Sequence, residues 1–91
     1  TDNFVAHNIG SVQIRFTQSA RKHRIGKHRA LYVLEHYQMM QAVDDQSLDQ
    51  RFRWVGFDNQ GLELEIIAVA TPKYLLVINC CKMHRKFFCK I

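Results

Sequence analysis

Ninety-one residues, 47% of them apolar and 11% aromatic, make one domain with a single packed core and exclude a chain disordered over most of its length. Thirteen Lys and Arg against eight Asp and Glu leave a net charge of +5, which favours a polyanionic partner. No apolar stretch approaches the ~20 residues of a membrane span. There is also no charged and then apolar leader, so the expected setting is a soluble, cytoplasmic protein away from membranes.

In chain order, residues 1–10 are polar apart from Phe4, Val5 and Ala6 and are expected as a leader, with Gly10 and Ser11 marking a break. Residues 12–16 alternate strictly, which predicts a strand with Val12, Ile14 and Phe16 inward. Thr17, Gln18 and Ser19 offer capping groups for a short helix through Arg24, and Gly26 supplies its stop. From Lys27 to Ala42 the positions Ala30, Leu31, Leu34, Tyr37 and Gln41 or Ala42 recur at helical spacing. Residues 51–57 predict an aromatic-rich strand, residues 58–61 a turn, and residues 62–70 a strand that becomes apolar on both sides. After Thr71, Pro72 and Lys73 a last buried strand runs over 74–79, followed by a basic, cysteine-bearing tail at 80–91.

The expected fold is therefore α+β, in the order β-α-α-β-β-β, with two helices packed on one face of a small, largely antiparallel sheet. Residues 11–79 form the single domain of this scheme. Trp54, Phe52 and Phe57 are assigned to the core rather than to base stacking.

The chemistry concentrates in residues 21–29. Arg21, Lys22, Arg24, Lys27 and Arg29 carry fixed positive charge, and His23 and His28 are imidazoles. Such a run repels itself and calls for phosphate. Cleavage of RNA without a metal needs a base for the 2′-hydroxyl proton, cations for the charge on phosphorus-bound oxygens and an acid for the departing 5′-oxygen. His23 and His28 have the right groups for acid and base, the alternative being ordinary surface histidines.

Arg51 and Arg53 alternate with Phe52 and Trp54, so the two guanidinium groups share one face of their strand. They either grip a phosphate or pair with Glu63 or Glu65 across the hairpin, depending on register. Arg85 belongs to the phosphate-binding set from the tail. Cys80, Cys81, His84 and Cys89 are zinc-ligand types, but their spacing lacks a C-x-x-C pair, so reduced thiols and no metal or other cofactor are expected.

Two segments carry a family resemblance. Residues 20–30, with Ala20, Lys22, His23, Ile25 and Ala30, resemble an A-x-K-H-G-[VI]-x-x-x-x-A motif. Arg51, Phe52, Val55 and Gly56, followed by Gly61 and Leu64, resemble an E-R-[YF]-x-x-[IV]-G-x-x-x-x-G-x-x-L strand pair. Both are similar to the RelE-like ribonuclease toxins of bacterial type II toxin–antitoxin systems, in particular the BrnT-type branch. The resemblance implies a messenger-RNA endoribonuclease with Lys22, His23 and Arg51 in the cleavage site and an acidic antitoxin as partner and route to oligomers. The sequence departs from the motif at Arg24, where the family has glycine, and in the tail from Cys80 onward. A non-catalytic nucleic-acid-binding or protein-interaction module with the same basic face is the competing expectation.

Overall fold

A computed structural model describes residues 7–21, 24–43 and 50–83. Strands β1 (His7–Ile9) and β2 (Val12–Phe16) form a hairpin around Gly10, whose φ of 63° is one that glycine adopts without strain. A 3₁₀ turn at Ser19–Arg21 and helix α1 (Lys27–His36) follow. Then come β3 (Met39–Val43), β4 (Gln50–Phe57), β5 (Glu63–Ala70) and β6 (Tyr74–Lys82). The six strands form one sheet in the order β1-β2-β6-β5-β4-β3, antiparallel except where β2 runs parallel to β6. Among the described residues, no helix is long and apolar enough to cross a membrane.

This architecture overturns the expected two-helix, small-sheet fold: the sheet is mixed and six-stranded, and among the described residues a single α-helix covers it. The segment after β2 does not become a helix because it stays tied to the sheet. The Thr17 backbone N–H donates to the Val77 carbonyl at 3.0 Å, and the Thr17 Oγ1 accepts from the Ala20 N–H at 3.1 Å. One 3₁₀ turn results, and Arg24 then takes a φ of 59°, incompatible with a continuing right-handed helix. Gly26, expected to stop that helix, is instead the extended N-cap of α1, at φ −62° and ψ 148°.

The second correction concerns α1, which ends at His36 rather than near Ala42. Tyr37 turns extended, at φ −63° and ψ 153°, and the Gln38 N–H donates to the Val55 carbonyl at 2.9 Å. Gly56 permits this exit, since a Cβ there would stand 3.0 Å from the Tyr37 Cα. Sheet pairing thus overrides a helical pattern that residues 37–42 satisfy only loosely. Two smaller differences follow the same logic: His7–Ile9 of the expected leader pairs with β2, and β6 runs through Cys80, Cys81 and Lys82 of the expected tail.

The core lies between α1 and one face of the sheet. Ile14, Leu64, Ile66, Ala68, Val77 and Trp54 meet Ala30, Val33 and Leu34 of the helix, all buried. Each of the buried Ile, Leu and Val side chains contributes roughly 1.5–3 kcal/mol by leaving water. A register shift between Ile67 and Ala68 leaves Ile78 as an extra residue in β6. That bulge re-phases the strand, so Val77 and Cys80 both face the helix while Cys81 turns to the other side.

Candidate nucleic-acid interface

The cationic corner is built at the start of α1. Ala20 and Ile25, exposed by only 2% and 8%, anchor the segment in the core on either side of its most basic stretch. Between and beyond these anchors Arg21, Arg24 and His28 are exposed. Lys27 is half-buried, its ammonium 5.8 Å from the centroid of the Phe16 ring. The first turn of α1 holds no acidic residue, and Gly26 provides no side-chain cap. The positive end of the helix dipole therefore adds to the side-chain charge instead of being offset. Lys22 and His23, the centre of the expected cleavage site, lie outside the described residues, as does Arg85.

Arg29 has a different fate from its neighbours. Its Nε donates to Asp58 Oδ2 at 2.7 Å, in a pair whose carboxylate side chain is fully buried. The other carboxylate oxygen accepts from the Gln60 and Leu62 N–H groups at 2.8 and 2.9 Å, which folds the β4–β5 turn around it, with Gly61 at a φ of 85°. Burial raises the Asp58 carboxyl pKa. The Leu62 N–H, the Arg29 guanidinium and the Gln60 N–H outweigh that, and the net effect holds it below the ordinary range. Arg29 Nη2 is buried with no hydrogen-bond acceptor. Of the basic run, this residue fastens α1 to the turn that joins β4 and β5.

Arg51 and Arg53 do share one face of β4, as the alternation with Phe52 and Trp54 predicts, and it is the face opposite α1. Arg53 forms an ion pair with Glu65, its Nε donating to the carboxylate, and the two side chains are 23% and 22% exposed. The hairpin register Arg53↔Ile67 and Val55↔Glu65 places that glutamate diagonally across from the arginine. Arg15 stands on the same face. Its row runs from Arg15 through Leu76 and Val69 to Arg51, three strand spacings or about 14 Å. Arg15 Nε donates to Gln13 Oε1 at 2.9 Å, and its guanidinium carbon lies 4.2 Å from the centroid of the Tyr74 ring.

The two described cysteines are divided by the sheet. Cys80 is buried on the helix side, and burial together with neighbouring Cys81 pushes its thiol up to about 12. Cys81, on the other face, is raised by burial and by Glu65 against the opposing effect of Asn79. Neither is an activated thiolate. Among the described residues, no cluster of three His, Cys, Asp or Glu groups could hold a metal ion.

The expected site residues thus divide between two layers. Arg21, Arg24, Lys27 and His28 gather at the start of α1, on the helix side, whereas Arg51 and Arg53 leave the sheet from its other face. Sequence reasoning missed Asp58 as the anchor of Arg29. The local signal for its turn was present in Asp58, Asn59 and Gly61, but nothing local links residue 58 to residue 29. No family model, no curated protein and no solved structure matches this chain.

Proposed function

We propose that the protein acts on RNA through the cationic corner at residues 21–29, as a metal-independent endoribonuclease of the toxin type restrained by an acidic antitoxin. The supporting observation is the exposure of Arg21, Arg24 and His28 together around a helix start whose own first turn holds no acidic residue, with buried Ala20 and Ile25 anchoring the backbone that carries them. In this reading the cations hold phosphate oxygens. His23 or His28 takes the 2′-hydroxyl proton, the 2′-oxygen attacks phosphorus to give a cyclic phosphate, and the second imidazole gives a proton to the departing 5′-oxygen. Arg51 and Arg53 stand on the opposite face, so the scissile phosphate is assigned to the corner.

The purified chain in excess EDTA is expected to cut RNA and to spare the 2′-deoxy analogue. Replacing His23 and His28 together by alanine is expected to lower the rate by roughly 10²–10⁴-fold with the fold intact by circular dichroism. An unchanged rate in the double variant overturns the assignment.

A second reading, binding without cleavage, draws on one observation: Arg29 and Arg53 are both engaged by carboxylates, which leaves fewer cations for a transition state. It predicts no product from RNA under any condition. Binding would weaken with salt at a logarithmic slope of about −0.7 per phosphate contacted.

A further inference from the structure

The edges of the sheet are not alike. β1 closes one side with three residues, short enough to offer little to another strand. β3 closes the other with five, Met39, Met40, Gln41, Ala42 and Val43, of which the first four are exposed. Among the described residues no strand lies outside it.

Edge strands in soluble proteins are commonly protected by lysine, proline or a bulge. β3 has no charged residue and no proline, and its pairing with β4 runs from Met39↔Val55 to Val43↔Arg51 without a register shift. Among the described residues, four of the seven exposed large hydrophobic side chains, Tyr37, Met39, Met40 and Phe57, lie on or beside this edge. Met39 and Met40 extend this apolar exposure to both faces of the strand, one beside Val55 and the other beside Trp54.

We infer that β3 pairs antiparallel with β3 of a second copy about a two-fold axis at Gln41, joining two sheets into one of twice the width. Three features select a second copy as the occupant. The register is self-complementary: with Gln41 opposite Gln41 of the second copy, Met40 faces Ala42 and Met39 faces Val43, so each large side chain meets a smaller one. The two amides at the axis are donor and acceptor to each other.

Charge agrees as well. The chain carries +5 overall, which opposes self-association elsewhere, yet β3 is uncharged, and Arg53 in the neighbouring row is already neutralised by Glu65. Pairing β3 with β3 therefore sets no charged side chain of the strand itself against its copy. The inference is independent of the RNA reading.

Sedimentation equilibrium of the full chain, from micromolar to hundreds of micromolar, tests it. The mass is expected to double with concentration. Gln41→Lys and Gln41→Glu are each expected to stay monomeric, because like charges then face each other at the axis, and an equimolar mixture of the two is expected to recover the doubled mass.

Hydrogen exchange on the unaltered chain gives a readout that needs no variant to fold. Backbone amides in residues 39–43 are expected to gain protection as the dimer forms, while those in residues 7–9 do not. A wild-type mass that never rises, a dimer that survives both single substitutions, or protection gained elsewhere overturns the inference. So does β3 protection that appears only when an unrelated peptide strand is added, which would assign this edge to a foreign partner.

Discussion

Two arginine–carboxylate pairs hold opposite faces of the sheet, and they differ mainly in how much water they see. Arg29 and Asp58 meet on the helix side with the carboxylate side chain fully buried and each of its oxygens accepting from the protein. Arg53 and Glu65 meet on the other face with both side chains more than one-fifth exposed. The first pair ties three separate pieces of chain together, namely the start of α1, the end of β4 and the turn into β5. The second joins neighbouring strands that are already hydrogen-bonded. The same two chemical groups therefore act as a structural rivet in one place and as a local charge balance in the other.

The sharpest way to break this comparison is Asp58→Ala. It strands the Arg29 guanidinium, two turn N–H groups and a buried environment shaped around an anion, and it is expected to cost about 3–5 kcal/mol in urea unfolding. Lowering the pH gives a partial version of the same loss. The folded Asp58 carboxyl lies below its ordinary value of 3.8, so its contribution is complete above that pH and is lost as pH falls through the lowered folded value. Melting temperature is expected to fall along this acid limb, and less steeply in Asp58→Asn, which has no charge to lose.

Gly56→Ala comes next. The new Cβ would press on the Tyr37 backbone rather than on a flexible side chain, and overpacking of this kind is expected to cost about 1–3 kcal/mol by thermal unfolding. The smallest effect belongs to the second pair. Glu65→Gln is expected to change stability by less than about 1 kcal/mol. A loss as large as that of Asp58→Ala would erase the distinction between the two faces.

Much of the strand content was legible from alternation alone. Residues 12–16, 51–57, 62–70 and 74–79 all fall on observed strands to within a few residues, and Phe52 and Trp54 do turn inward from Arg51 and Arg53. Illegible were the places where distant chain decides local shape. Residues 37–42 carry enough helical spacing to extend α1 on paper, and only the docking of Tyr37 against Gly56 converts them to an exit and an edge strand. Residues 17–24 carry capping groups, and Thr17 spends its own on Val77 and Ala20. Phe57, assigned to the core, is 40% exposed because the alternation of β4 puts it with Arg51 and Arg53 on the face opposite α1.

The candidate site was legible as a cluster and not as a geometry. The crowding of cations over residues 21–29 is visible in the sequence, and so is the shared face of Arg51 and Arg53. Which layer each group would occupy depends on how β2 and β4 sit in one sheet, and no local pattern encodes that. The ion pairs of Arg29 and Arg53 depend on the same long-range placement.

The parallel contact between β2 and β6 sets when this chain can close on the ribosome. Strands β3, β4, β5 and β6 are sequential neighbours in the sheet, whereas β2 waits for a strand some sixty positions downstream, with Phe16 opposite Val77 and Thr17 bonded to the same residue. Nascent chains arrested before β6 emerges are expected to stay protease-sensitive, and the cationic corner, whose Ala20 anchor packs in the same core as Val77 and Cys80, then forms only as synthesis of that strand finishes.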